Sequence, residues 1–71
     1  MKPEGATIQA NGKQEQIQLP CSVARFVTGH GWKTTQVVIE YNGRVLARDE
    51  MSRVALQNGD QLEVLVPVAG G

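Results

Sequence analysis

The fold is decided by residues 7–19, TIQANGKQEQIQL, which have the pattern of a β-hairpin. Asn11-Gly12 is the preferred pair for a two-residue type I′ turn, because both central positions of that turn need a positive φ. Apolar and polar residues alternate on each side of the turn, as in strands with one buried face. The apolar face consists of Ile8, Ala10, Ile17 and Leu19. The other face is rich in glutamine.

A short helix is predicted after the hairpin. Pro20 should end the second strand, and Ser22 is a favourable N-cap for a helix that begins at the next residue. Gly29 is predicted to be the C′ residue, which gives a helix of about two turns. We expect Trp32 to close the core just behind it. The predicted apolar stripe of the helix consists of Val23, Phe26 and Val27.

The remaining strands follow a second Asn-Gly turn and a polar, irregular stretch. Residues 37–41 are β-branched and aromatic, Val45-Leu46 forms a brief strand after Asn42-Gly43, and residues 62–66 form the last strand. The irregular stretch is anchored by Met51, Val54 and Leu56. One helix on one face of a small mixed sheet buries all these apolar faces. The order ββαββ therefore predicts an α+β fold of the β-grasp, ubiquitin-like type.

Composition excludes several functional classes. A chain of 71 residues is one domain, here residues 1–67 followed by a flexible tail over residues 68–71, and it has little room for a deep catalytic pocket. Seven basic and seven acidic residues cancel, which argues against nucleic-acid binding. No apolar run suits a membrane span or a signal peptide. One cysteine and one histidine cannot form a disulfide or a zinc site, so we expect a cytoplasmic, reducing setting.

The diglycine Gly70-Gly71 has a specific chemical use. Glycine has no Cβ, so such a tail can thread a narrow channel into the active site of another protein. There the carboxylate of Gly71 can attack the α-phosphate of ATP. The acyl-adenylate that forms is open to attack by sulfur or nitrogen.

In the order and spacing of four segments, the chain resembles the ThiS family of sulfur carrier proteins in thiamin biosynthesis. The resemblance covers roughly residues 7–71. The segments are the strand that ends at Asn11-Gly12, the helix start Ser22-Val23 with Phe26-Val27, the stretch NGRVLARDE at 42–50, and LQNGDQLEV at 56–64 before the diglycine. The chain departs from the family pattern at Ala47, where a proline is usual, and at Met51, where a tryptophan is usual.

The resemblance implies a carrier rather than an enzyme, with no catalytic residue, metal or bound cofactor of its own. An activating adenylyltransferase of the ThiF type would use ATP to adenylate Gly71. Sulfur from a donor such as a cysteine desulfurase would then leave a C-terminal thiocarboxylate, for delivery to a thiazole synthase of the ThiG type. Gly70 would be the slim segment in the partner's channel, with Ala69 and Val68 as its neighbours there.

A docking surface is predicted from strand alternation. Val38 and Leu65 should face outward, and an exposed apolar patch on a small domain often marks an interface. Glu40 on the same face is a further candidate contact for the activating enzyme. The side chains expected to face the helix are Ile39, Tyr41, Leu62 and Val64.

Several residues suggest chemistry that we do not assign to them. Cys21 precedes a helix N-terminus, where the dipole can lower the pKa of a thiol, but we predict a packing role. His30 is predicted to be a solvated loop residue. The charged residues Arg48, Asp49, Glu50 and Arg53 are predicted to form a solvated face.

Three other hypotheses stay open. The same chemistry could supply molybdopterin, cysteine or a specialised sulfur-containing metabolite, and the ending PVAGG also resembles the small subunit of molybdopterin synthase. The chain could instead be a protein modifier that joins Gly71 to lysines. A third hypothesis is an interaction module with an inert tail, whose function would survive the deletion of Gly70-Gly71.

Overall fold

The computed structural model describes residues 4–67, which form a five-stranded mixed sheet packed on one helix. The strand order is β2-β1-β5-β3-β4, with β1 and β5 parallel and the other neighbours antiparallel. This arrangement confirms the predicted β-grasp fold. The elements are β1 Gly5–Ala10, β2 Lys13–Gln18, α1 Val23–Gly29, β3 Val38–Tyr41, β4 Arg44–Val45 and β5 Gln61–Leu65, with 3₁₀ helices at Thr34–Gln36 and Arg48–Glu50. No helix within residues 4–67 is long and apolar enough to cross a membrane.

Both Asn-Gly pairs form the predicted turns. Asn11 and Gly12 have φ values of 53° and 80°, and Asn42 and Gly43 have 49° and 86°. These values lie in the left-handed region, which asparagine and glycine tolerate best. Local turn chemistry therefore fixes where each hairpin reverses.

The asparagine side chains of both turns also bind β5. The Asn11 Oδ1 accepts a hydrogen bond from the backbone N–H of Val64 at 2.7 Å, and the Asn42 Oδ1 accepts one from Gln61 at 2.8 Å. A third asparagine amide, at Asn58 in the turn before β5, accepts from the N–H of Thr7 at 2.9 Å. These contacts join residues that are distant in sequence, and turn propensity gives no sign of them.

The helix begins as predicted and ends two residues later than expected. The Ser22 Oγ accepts a hydrogen bond from the N–H of Arg25 at 3.0 Å, as an N-cap should. The prediction that Gly29 is the C′ residue is wrong, because Gly29 is still helical and Gly31 has the positive φ of 84°. The N–H of Trp32 then reaches the carbonyl of Val27 at 3.2 Å, which is a Schellman ending. This ending places Trp32 against the core, as predicted.

The core lies between the helix and one face of the sheet. Ile39, Leu62 and Val64 are buried, as alternation predicts, and Tyr41 is half-buried and packs against the same cluster. Met51 and Leu56 anchor the irregular stretch from within this core, with Val54 packed beside it. The fully buried side chains are Ile8, Val23, Val27, Ile39 and Leu62. The core therefore fixes one face of β3 and β5 and leaves their other face uncovered.

We predict that the side-chain bond from Asn11 to β5 contributes to stability independently of the turn. Asn11→Gly keeps the positive φ but removes the acceptor of the Val64 N–H, so it should lower the free energy of unfolding by about 1 kcal/mol. Asn11→Asp keeps an oxygen acceptor and tolerates the same φ, and should stay close to wild type at neutral pH. Urea unfolding curves give both values. Equal losses in the two variants would contradict the prediction.

Candidate functional site

The chain leaves the domain from the middle of the sheet. β5 lies between β1 and β3, and the chain continues past Leu65 through Val66 and Pro67. Backbone pairing with β3 extends to Leu65, whereas the pairing with β1 covers only Gln61 and Leu62, so the base of the tail is held on the β3 side. The predicted roles of Val68, Ala69, Gly70 and Gly71 lie outside the described residues.

Val38 and Leu65 form an exposed cross-strand pair beside this exit. They are directly opposite each other in the antiparallel pairing of β3 and β5, so their side chains lie on the same face of the sheet. Val38 is 40% exposed and Leu65 is 51% exposed. Their outward orientation is as predicted, and their docking role stays a prediction. We call this pair the apolar row.

A second cross-strand pair on the same face consists of two carboxylates. Glu40 is directly opposite Glu63 in the same pairing, two positions along each strand from the apolar row. Like charges directly opposite each other destabilise a sheet. Neither carboxylate forms an ion pair with any residue in the range 4–67. We call this pair the acidic row. The sequence analysis named Glu40 alone. Alternation along β5 also places Glu63 on the outward face, but only the register of β3 and β5 shows that the two residues are opposite each other.

The rest of the open face is uncharged. β2 and β1 contribute a glutamine-rich area, in which Gln14 is opposite Gln9 and Gln16 is opposite Thr7. Since these residues share the face with the two rows, the open face has a polar half and an apolar-acidic half. The tail leaves from the apolar-acidic half.

A shallow groove of about 400 Å³ lies beside the exit of the chain, between Val38 and the segment Thr35–Val37 on one side and Arg48 on the other. Val66 and Pro67 line it, together with the exposed Arg48. Arg48 forms no ion pair with the described residues 4–67. Its neighbours in sequence are paired: Arg53 with Asp49, and Arg44 with Glu50 at 3.1 Å. The predicted solvated face is therefore a set of exposed ion pairs beside one unpaired arginine.

A buried carboxylate fixes the turn that leads into β5. Asp60 is 8% exposed and accepts hydrogen bonds from the Tyr41 hydroxyl at 2.8 Å, the Asn42 side chain at 3.2 Å and the Gln57 N–H at 2.7 Å. Burial raises the pKa of Tyr41, and the hydrogen bond to Asp60 and the negative charge of Asp60 raise it further. This cluster stabilises the first residues of β5 on the side away from the tail.

Cys21 has the predicted packing role. Its side chain is buried in the core cluster, and burial raises the pKa of the thiol, which the nearby Arg25 opposes only in part. Burial therefore disfavours the thiolate form of Cys21. Among residues 4–67, no group of three or more His, Cys, Asp or Glu side chains is placed to hold a metal ion.

His30 is more constrained than the sequence suggested. Its Nε2 lies 3.0 Å from the Glu15 Oε1, and its ring lies between Phe26 and Trp32, with ring centroids 4.6 Å and 5.2 Å away. The side chain is 38% exposed at the C-cap of the helix, as a solvated position after the helix should be, and its contacts with Glu15 and the two aromatic rings were not predicted. Glu15 is distant in sequence, and only the packing of β2 beside the helix brings it close.

Comparison with known proteins identifies relatives of the whole chain. The sequence model described as "ThiS family" matches residues 2–71. The chain also resembles the crystal structure of the thiamine biosynthesis protein ThiS from Geobacter metallireducens, with a TM-score of 0.76 and 25% sequence identity. That similarity covers 92% of this chain and 99% of the other. No curated protein matches the sequence significantly.

We predict that the tyrosine hydroxyl titrates later in the folded chain than in the unfolded one. Because Tyr41 is the single tyrosine, tyrosinate absorbance reports this group alone. Its pKa should lie above the ordinary value of 10.0, and unfolding in urea should return it to that value. A raised folded pKa stabilises the fold fully below the unfolded pKa, and this contribution is lost as pH rises through the folded pKa. Tyr41→Phe should remove that alkaline loss, and equal folded and unfolded pKa values would contradict the prediction.

Proposed function

The chain belongs to the ThiS family, and from this membership we propose that it is a sulfur carrier for thiazole formation in thiamin biosynthesis. The observation that carries the proposal is the extent of the match, which runs through Gly71. The fold supports it, because the central strand β5 gives the tail a rigid base. In this role the chain is a co-substrate in a cytoplasmic pathway, and its partner enzymes supply the catalysis.

The proposed chemistry takes place on the carboxylate of Gly71. An activating enzyme of the ThiF type joins that carboxylate to the α-phosphate of ATP, and pyrophosphate leaves. A sulfur nucleophile, supplied from cysteine by a desulfurase, attacks the acyl carbon of the adenylate and displaces AMP. This nucleophile is a persulfide, so its attack gives an acyl disulfide. A thiol then attacks the donor's sulfur in that S–S bond, forms a disulfide with the donor and leaves a thiocarboxylate on Gly71, ready for a thiazole synthase of the ThiG type.

A terminal thiocarboxylate suits a carrier that has no active site of its own. A thioacid is far more acidic than a thiol, so its sulfur is anionic at neutral pH. A cysteine needs a helix N-terminus, a cation or a metal to reach the same state. Cys21 is buried with a raised thiol pKa, so we assign the transferred sulfur to the terminus and not to this side chain.

The apolar row gives the partners a place to bind. Each partner must reach the same tail, so each must contact the surface from which the tail leaves. Val38 and Leu65 are the exposed apolar pair closest along the strands to that exit. We therefore propose that the activating enzyme and the thiazole synthase bind this region in turn, and that Val68, Ala69 and Gly70 occupy a channel in each.

The proposed chemistry is tested by the intact mass of the protein. After incubation with the activating enzyme, ATP, a cysteine desulfurase and cysteine, the mass should increase by the replacement of one oxygen by sulfur. A variant without Gly71 should show no gain. Lysine-linked conjugates in place of the mass gain would favour a protein modifier. No change, with an activating enzyme that is active on another carrier, would favour an inert tail.

The recipient is tested by adding the thiazole synthase to the sulfur-loaded protein. Loss of the added mass together with thiazole formation would support the thiamin pathway. A loaded protein that transfers its sulfur only to a different acceptor enzyme would keep the carrier chemistry and replace the proposed recipient.

The apolar row is tested by making it polar. Val38→Ser with Leu65→Ser should weaken binding to the activating enzyme by roughly tenfold or more, because removing apolar contact from an interface costs on the order of 1–2 kcal/mol. Gln14→Ser with Gln16→Ser truncates two exposed side chains on the other half of the same face and should leave binding unchanged. Isothermal titration calorimetry measures both, and equal affinities in the two double variants would contradict the docking role.

A further inference from the structure

The outer edge of β2 is the longest run of uncovered strand backbone within residues 4–67. The strand order places β2 and β4 at the two edges of the sheet, and β2 has six residues whereas β4 has two. Natural proteins protect such edges with short strands, bulges, prolines or lysines. β2 contains no proline, its register with β1 is continuous, and its single lysine, Lys13, lies at the turn. The edge is therefore open to a further strand.

The even-numbered residues of β2 direct their backbone groups to this edge. In an antiparallel pair, alternate residues bond across the pair, and the residues between them point their N–H and C=O groups the other way. The N–H of Leu19 donates to the carbonyl of Glu4 at 2.8 Å, so the odd-numbered residues are those that bond across. In agreement, Thr7, which is opposite Gln16, donates its N–H to Asn58 at 2.9 Å. The residues with outward groups are Gln14, Gln16 and Gln18.

A groove lies beside this edge, between β2 and the helix. Its volume is about 490 Å³, which is within the usual size range of binding sites. The odd-numbered side chains of β2 face it, because Ile17 packs on the core cluster from the helix side of the sheet. A strand added to β2 would direct every second side chain into the groove and the others along the glutamine-rich area. The apolar lining consists of Ile17, Leu19, Pro20 and Phe26.

The two ends of the groove differ in charge. Burial raises the pKa of the Cys21 thiol and the charge of Arg25 partly opposes this, so the guanidinium lies near Cys21, at the end where β2 stops. Arg25 is exposed and forms no ion pair within residues 4–67. At the other end, Glu15 already has a partner in His30, at 3.0 Å. An occupant with a carboxylate at the Arg25 end would therefore complement the groove.

We propose that the free edge of β2 binds an extended segment of a partner protein as a further strand, antiparallel to β2. Apolar side chains at alternate positions of the segment fill the groove, and an acidic side chain near its N-terminal end bonds to Arg25. Antiparallel pairing is the more stable kind per residue, and it is the direction that brings the N-terminal end of the segment to the end of β2. Because β1 separates β2 from β5, this surface is distinct from the exit of the tail.

A second copy of the chain fits this edge less well. If two β2 strands paired antiparallel about Glu15, the two glutamates would be opposite each other, which destabilises a sheet. Pairing about Gln16 would bring Lys13 of one copy to the end of the other copy's groove, where Arg25 lies. Pairing about Gln14 would extend only from there to Gly12, which belongs to the turn. None of these registers supplies a carboxylate to the arginine.

The probe that tests the proposal is the acetylated and amidated peptide Asp-Ser-Val-Ser-Val-Ser. In an extended peptide its aspartate and valines lie on one face and its serines on the other. Its binding to the full chain at low salt is followed by the NMR chemical shifts of backbone amides. The peptide Ser-Val-Ser-Val-Ser-Asp brings the carboxylate to the Glu15 end, and should bind at least about threefold more weakly. The proposal expects saturable changes at Gln14, Gln16, Gln18 and Arg25.

One variant closes the edge. Gln16→Pro removes an outward N–H, and its ring obstructs an added strand. The bonds between β2 and β1 do not use this N–H, so proline is tolerated as it is on other edge strands. The variant should not bind the peptide. Gln16→Thr keeps the N–H and should bind like wild type.

A second variant reverses the charge without endangering the fold. The Ser22 side chain caps the helix by accepting from the N–H of Arg25, so a glutamate at this position completes a capping box and should preserve the melting temperature. Arg25→Glu should bind the aspartate peptide at least about fivefold more weakly than wild type at low salt. It should bind Lys-Ser-Val-Ser-Val-Ser more tightly than wild type does. A purely structural effect of the substitution would not exchange the two preferences.

Four results would overturn the proposal. They are the absence of saturable changes at β2, unchanged binding by a folded Gln16→Pro variant, unchanged peptide preference in Arg25→Glu, and a dimer in place of peptide binding. Sedimentation equilibrium without peptide detects the last. A wild-type dimer that Gln16→Pro abolishes would assign this edge to a second copy of the chain. If Gln16→Pro does not fold, the exchange of preference in Arg25→Glu decides.

Discussion

The structure depends on the insertion of β5 between β1 and β3. The parallel pairing with β1 is short, with Gln9 opposite Gln61 and Ala10 opposite Leu62. Side-chain bonds from Asn11 and Asn42 to the backbone of β5 add to this pairing on both sides. A domain of 71 residues has a small core, so directional bonds at these positions matter more than in a larger protein. They hold the one strand from which the tail leaves.

The same insertion creates the open face and places two glutamates opposite each other on it. With β5 in the centre, Val38 meets Leu65 and Glu40 meets Glu63. The exposed apolar pair, the two opposite carboxylates and the exit of the chain therefore lie on the same half of one face.

The sequence predicted the features that neighbouring residues determine, and it missed the contacts between residues that are far apart in the chain. The Asn-Gly turns, the Ser22 cap and the alternation of β3 and β5 follow from neighbouring residues, and the structure confirms them. Gly29 and Gly31 both lie near the end of the helix, so the sequence alone does not show which of them is the C′ residue. The packing of Trp32 on the core favours Gly31. The pairings of Glu15 with His30 and of Glu40 with Glu63 join separate elements, so no local pattern reveals them.

In the proposed carrier role, the stability of the domain and the reactivity of its terminus depend on different residues. The described open face of β3, β4 and β5 offers two valines, one leucine, one glutamine and two glutamates: Val38, Val45, Leu65, Gln61, Glu40 and Glu63. Such a face can orient a partner without competing for the activated carbonyl. A nucleophilic lysine or cysteine beside the exit could capture the adenylate, whereas Cys21, the single cysteine, is buried in the core. In the proposed role, the exposed side chains beside the exit would therefore contact a partner without attacking the activated carbonyl.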